Sequence, residues 1–219
     1  PPPPPFIFLT HMPEYHIRLS LVGSEMCIRD RKSRDGTIKN SVKLHDGLTV
    51  ESVIIPSNKR ITACVSSQVG CSLDCSFCAT SLLRRMRNLN ADEIFDQVVS
   101  ITKQSRLYFN RPLTNIVFMG MGEPLLNYKN VMEAIKKITS NNGLGLSSRR
   151  ITLSTSGIPK MIKRLADDRV KFKLAVSLHS ARQSIREKIM PFRSEKQRAY
   201  LYANEPQMAK KWASEHGNK

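Results

Sequence analysis

The chain has 219 residues, 35 Lys and Arg against 18 Asp and Glu, and a formal net charge of +17, with 40% of residues apolar and 24% charged. These fractions exclude wholesale disorder, and no run approaches the roughly 18 to 20 uncharged apolar residues that span a bilayer. Five Cys, odd in number and clustered, do not make a secreted disulfide scaffold. The expectation is a basic, cytoplasmic, monomeric domain with no membrane contact and a negatively charged partner.

The charge is uneven. Residues 1–31 balance Arg18, Arg29 and Arg31 against Glu14, Glu25 and Asp30, and residues 193–219 carry six positive and three negative side chains. Subtracting 0 and +3 from +17 leaves +14 on residues 32–192. Clusters such as Arg84, Arg85, Arg87 and Lys171, Lys173 raise the local potential and attract a polyanion such as nucleic acid. The plainer alternative is charge for solubility.

The two ends do not read like the middle. Pro1–Pro5 followed by Phe6–Leu9 fits no helix or strand period and lacks the basic start and small-residue cleavage site of a signal peptide. Leu21–Arg31 (LVGSEMCIRDR) resembles the conceptual translation of a transposase adapter used in sequencing libraries. Residues 1–31 are therefore expected to be non-native, and Cys27 is set aside with them. Arg193–Lys219 is expected to be a foreign tail. It is polar, punctuated by Tyr200, Tyr202 and Trp212, and Gln207–His216 fits a helix with Met208 and Trp212 one turn apart.

Between Lys32 and Phe192 strands and helices alternate. Val50–Pro56 alternates apolar and polar residues as a half-buried strand does, and Ile61–Val65 is a second strand. Ala91–Ser105 predicts a helix, with Asn90 as N-cap and Asp92 and Glu93 in the first turn. Asn115–Met119 is an apolar run of strand length ended by Gly120. Asn127–Thr139 is helical, striped by Val131, Ile135 and Ile138. Arg150–Ser154 is a strand, Ile158–Ala166 a helix, Phe172–Leu178 a strand and Ala181–Ile189 a helix. About four β-α units of roughly 30 residues predict an α/β fold, a partial, truncated TIM-like (β/α) barrel with a parallel sheet under helices. In such folds chemistry gathers at the C-terminal strand ends. The Cys cluster, Gly120–Pro124, Ser154–Gly157 and Ser177–His179 all fall there.

Cys71, Cys75 and Cys78 form C-x3-C-x2-C (CSLDCSFC). Structural zinc usually takes four ligands from paired C-x2-C elements, whereas this loop offers three. A [4Fe–4S] cube held by three thiolates keeps one iron open for a substrate. A structural zinc site or an accidental cluster is the alternative. The spacing, with Phe77 before the last Cys, resembles the signature of the radical S-adenosylmethionine (SAM) superfamily.

Four segments narrow the resemblance: Ala63-Cys64-Val65-Ser66-Ser67-Gln68-Val69-Gly70-Cys71, Gly120-Met121-Gly122-Glu123-Pro124-Leu125, Leu153-Ser154-Thr155-Ser156-Gly157 and Val176-Ser177-Leu178-His179. Together, and in this order, they resemble the RlmN/Cfr group of radical SAM RNA adenine methyltransferases, with details on the RlmN side. The resemblance covers residues 32–192. It implies a [4Fe–4S] cluster on Cys71, Cys75 and Cys78, and SAM bound by Gly122, Glu123, Ser154, Ser177, Leu178 and His179. The implied reaction runs through a 5′-deoxyadenosyl radical and methylates C2 of adenosine in 23S ribosomal RNA and some transfer RNAs, with an electron donor such as flavodoxin. Glu51 aligns with the group's proposed general base. Cys64 matches a cysteine that can pair with the group's methyl-carrying cysteine. By their own chemistry, glycines allow close backbone approach, and carboxylate or carbonyl oxygens can accept from an ammonium. Glu51 alone reads as an exposed strand residue, His179 as a satisfied loop histidine and Cys64 as a buried core cysteine.

The resemblance is incomplete. No Cys follows Cys78, so the methyl carrier has no counterpart, and the group's N-terminal accessory domain has none either. The chain is expected to be an internal fragment that does not methylate RNA alone. Two other readings stay open: a radical SAM enzyme with another substrate, and a metal-binding, RNA-binding module without catalysis.

Overall fold

A computed structural model describes residues 28–71, 73, 75–83 and 86–189. The segment Pro1–Leu9, the helix expected over Gln207–His216 and the pair Arg84, Arg85 lie outside the described residues. The chain opens with β1 (Ile28–Lys32), β2 (Ile38–Lys43), β3 (Thr49–Pro56) and β4 (Ile61–Cys64). Two short strands, β5 (Gln68–Val69) and β6 (Arg87–Asn88), bracket the Cys loop. Then come α1 (Ala91–Phe109), β7 (Asn115–Phe118), α2 (Tyr128–Thr139), β8 (Ile151–Thr155), α3 (Pro159–Asp167), β9 (Lys173–Val176) and α4 (Gln183–Ile189).

One seven-stranded sheet has the order β1-β2-β3-β4-β7-β8-β9. From β4 onward the pairs are parallel, and four β-α units follow as the alternation predicts. The first four strands pair antiparallel instead, so the sheet is mixed. Tight turns make this possible. Asp35 Oδ1 accepts from the Thr37 N–H at 3.0 Å, and Gly36 takes φ +84°. Gly47 takes φ +80° in the next turn. Strand β1 also runs across the boundary at residue 31, so Ile28–Arg31 stand in the sheet.

Register separates the two faces. Pairings such as Ile54↔Ala63, Ala63↔Ile116 and Ile116↔Ile151 put buried side chains on the face that α1 and α2 cover. A fully buried Ile or Phe there stabilises the fold by about 1.5–3 kcal/mol. Asn40 and Gln104 exchange side-chain amide bonds at 2.7 and 3.2 Å across the β2–α1 contact. The opposite face carries Lys39, Val53, Cys64, Val117 and Thr152 in mutual register, with Glu51 and Ser154 two residues along their strands on the same face. Most of these are half-buried, as befits the inner wall of an open barrel.

Helix α1 starts as the sequence predicts. Asn90 accepts from the Glu93 N–H at 2.8 Å and the Glu93 carboxylate accepts from the Asn90 N–H at 2.9 Å, a reciprocal capping box.

Candidate functional site

The Cys loop is closed at its neck by β5 and β6, through Gln68↔Asn88 and Val69↔Arg87. Cys71 N–H donates to Leu83 O at 3.3 Å and Met86 N–H to Val69 O at 2.9 Å. Arg87 anchors the exit. Its guanidinium makes two bonds to Glu93, 2.8 and 2.7 Å, and one to Asp46 at 2.5 Å. The Glu93 hydrogen bonds, with those of Asp46, hold Arg87 above its usual pKa range against desolvation. Within the loop, Cys78 N–H donates to Cys75 O at 3.0 Å, and Leu73 N–H approaches Cys71 Sγ at 3.4 Å. Cys75 is buried, while Cys71 and Cys78 are half-buried. None of Cys64, Cys71, Cys75 and Cys78 is in a disulfide.

Among the described residues, no three Cys, His, Asp or Glu side chains converge closely enough to hold a metal ion. The three thiols share the loop without sharing a point. Their chemistry nevertheless fits a soft metal cluster, because three thiols lie on one short loop. Thiolates repel one another without a cation between them, so closure of the three sulfurs is expected to accompany cluster assembly.

The segment after β9 and the end of α4 both touch this loop. Phe77 packs its ring against His179, with centroids 4.0 Å apart. His179 adopts φ +54° three residues past the end of β9. Ser76 donates to Ile189 O through its N–H at 2.9 Å and its hydroxyl at 3.2 Å. Ser154 and Ser177 put their hydroxyls 3.3 Å apart at the tips of β8 and β9. Leu178 is exposed.

Glu123 behaves differently from the simple ligand reading. It is buried, and its oxygens accept from the Leu125 N–H at 3.1 Å and the Ser156 N–H at 2.8 Å. Burial pushes its carboxyl above the usual value, against the lowering effect of those bonds. The nearby glycines serve the fold. A Cβ on Gly120 would lie 2.6 Å from Ser66 Oγ, and one on Gly122 (φ +94°) 2.5 Å from Gln68 Cβ. Both let the loop after β7 lie flat on Ser66–Gln68.

Glu51 is on the uncovered face, half-exposed, with Lys39 Nζ 2.7 Å from its carboxylate. Its backbone carbonyl accepts from Ser66 Oγ at 2.5 Å, and Ser66 Oγ in turn accepts from the Met121 N–H at 2.8 Å. Glu51 thus reaches the same rim as the loop after β7. Cys64 is buried on the same face, and desolvation raises its thiol pKa.

Sequence reasoning passed over the polar residues beneath the site. Gln97 clasps the Ser66 backbone from both sides, at 2.9 and 3.1 Å. Asn127 Nδ2 donates to Ser67 O and Leu89 O at 2.8 and 2.7 Å. Gln68 lies in the motif, but periodicity assigns no role to a buried amide.

A loop of three cysteines at the open rim of a β/α sheet defines a cluster-binding class, and the chain belongs to the radical SAM superfamily. The model of that superfamily matches residues 65–203, a span that continues past Phe192, where the motif resemblance ends. The chain is 73% identical over 164 residues to a probable dual-specificity RNA methyltransferase RlmN of Christiangramia forsetii, covering 75% of this chain and 47% of that protein. It is 52% identical over 175 residues to a protein of the same name from Chlorobaculum tepidum, covering 78% and 47%. A crystal structure of a radical SAM methyltransferase from Sphaerobacter thermophilus superposes with TM-score 0.73 at 38% identity, covering 87% of this chain and 55% of that one. The chain spans about half the length of the curated relatives it matches. Superfamily membership implies a [4Fe–4S] cluster and SAM as cofactors.

Proposed function

We propose that the chain is the cofactor-binding core of a radical SAM RNA methyltransferase acting on C2 of adenosine in 23S ribosomal RNA and some transfer RNAs. The observation that carries this reading is the contact of the Cys loop with the segment after β9, through Phe77 on His179, and with the end of α4, through Ser76 on Ile189. The relatives' printed names supply the RNA and the methyl transfer.

Cys71, Cys75 and Cys78 would hold the cluster, which supplies the electron that opens the sulfonium carbon–sulfur bond of SAM. The chain's own residues position and protect. The Ser154 and Ser177 hydroxyls offer donors to the ribose or carboxylate of SAM, and Leu178 and His179 line its other side. Gly122 and Glu123 contribute mainly backbone, since the Glu123 carboxylate already has internal partners. Glu51, steadied by Lys39, is the base proposed to remove the adenosine C2 proton. Cys64 remains the proposed disulfide partner of a methyl-carrying cysteine, for which this sequence, with no Cys after Cys78, has no counterpart.

The proposed setting is the cytoplasm, with a flavodoxin-type electron donor and a monomeric chain. No helix of the described residues is long and apolar enough to cross a membrane.

Reductive SAM cleavage tests the reading. After anaerobic reconstitution and addition of dithionite, the chain is expected to release 5′-deoxyadenosine and to transfer no methyl group to ribosomal RNA. C71A, C75A and C78A should each abolish the release. Equal release from the variants would remove the cluster assignment. Methyl transfer by this polypeptide alone would overturn the carrier requirement.

A further inference from the structure

A fully buried amide lies between the Cys loop and the loop after β7. Gln68 is 0% exposed. Its Oε1 accepts from the Glu123 backbone N–H at 2.9 Å, and its Nε2 donates to Asn88 Oδ1 at 2.7 Å. Asn88 is its strand partner at the loop exit, and Asn88 Nδ2 reaches Leu126 O at 3.5 Å. The Gln68–Asn88 pair thus joins the entry of the Cys loop, its exit and the segment from Glu123 to Leu126. Gly122 closes over it, leaving no room for a Cβ.

The bonds continue around the rim. Ser156 N–H donates to the Glu123 carboxylate at 2.8 Å, and Arg186 donates to Ser156 O at 3.2 Å. Apolar packing could hold these loops together, but it is not directional. Hydrogen bonds fix relative height and angle, and inside a protein they do so in a medium where an unmet partner is costly.

We propose that Gln68 is a positioning residue that sets the Gly120–Glu123 loop at the height of the Cys71–Cys78 loop, and thereby sets the affinity for SAM; this rests on the cofactor reading above. Gln68 is sealed from solvent. It acts through the Glu123 backbone on one side and Asn88 on the other.

The test uses Q68M, which keeps volume and removes both hydrogen bonds, beside I138V, a core truncation on α2 away from the rim. Each reconstituted chain is assayed for iron and sulfide, for melting temperature and for SAM affinity by equilibrium dialysis. Q68M is expected to keep its iron and to bind SAM about tenfold more weakly, because small displacements of a binding loop are costly. I138V is expected to melt lower with SAM affinity unchanged. Wild-type affinity in Q68M, or affinity losses that merely track melting temperature in both variants, would overturn the proposal. Should Q68M not fold, N88A removes the Gln68 partner at the loop exit without altering any residue assigned to SAM, with the same expected weakening and the same contrary result. A wild-type chain that binds neither iron nor SAM would instead defeat the cofactor reading itself.

Discussion

Glu123 draws both of its oxygens into the fold, one to the Leu125 N–H and one to the Ser156 N–H. Burial raises its folded-state pKa above the ordinary glutamate value of 4.5. The unfolded chain therefore ionises first as pH rises. The contribution of this group is complete below pH 4.5 and is lost as pH climbs through the higher folded value. Thermal melting of wild type and E123Q across that range should show the wild-type advantage shrinking with pH. Parallel curves would show that the carboxyl does not titrate with folding. At this scale the sequence was a partial guide. The spacing of Cys71, Cys75 and Cys78 and the motif around Glu123 singled out two segments. Which atoms of Glu123 are already engaged depends on Ser156, thirty-three residues away, and no local pattern carries that.

The start of α1 links the Cys loop to the helical layer. Asn90 and Glu93 cap the helix, and Glu93, almost wholly buried, also receives Arg87 from the loop exit. Removing the cap in N90A should cost about 1 kcal/mol. Removing Glu93 in E93A should cost about 3 kcal/mol, because Arg87 loses its main partner as well. Urea unfolding checks both, and equal losses would mean that the Arg87 contact contributes little. Asn90 and the acidic first turn were legible because capping is a short-range rule. The antiparallel strands β1 and β2 were passed over although Asp35-Gly36 and Asp46-Gly47 are hairpin signals. Attention to β-α alternation hides a hairpin that precedes it, and setting residues 1–31 aside removed most of β1 from view.

The described residues form a mixed sheet with α1 and α2 on one face and mostly half-buried residues on the other. Among the described residues β9 ends the sheet, with Leu174 and Val176 exposed, an edge of the kind that invites further pairing. The +14 on residues 32–192 belongs to the same scale, since Arg149, Arg150, Lys171 and Lys173 all stand at or beside the N-terminal ends of neighbouring strands β8 and β9. Binding of a ribosomal RNA fragment is expected to weaken steeply and linearly on a log–log plot as salt rises, with a slope near −0.7 per phosphate contacted for single-stranded RNA. Fluorescence anisotropy over a salt series measures it, and a flat response would mean that no phosphate-tracking face exists. Net charge was readable from composition. Its arrangement along strand ends required the register.

The proposed function turns on three sulfurs closing around one cube whose fourth iron stays open. Iron and acid-labile sulfide counts after anaerobic reconstitution, read together with electron paramagnetic resonance of the reduced sample before and after adding SAM, address that directly. The account predicts about four of each per chain, a spectrum that changes when SAM is added, and loss of both in C75A. A colourless chain carrying one zinc, or a cluster whose spectrum ignores SAM, would contradict it.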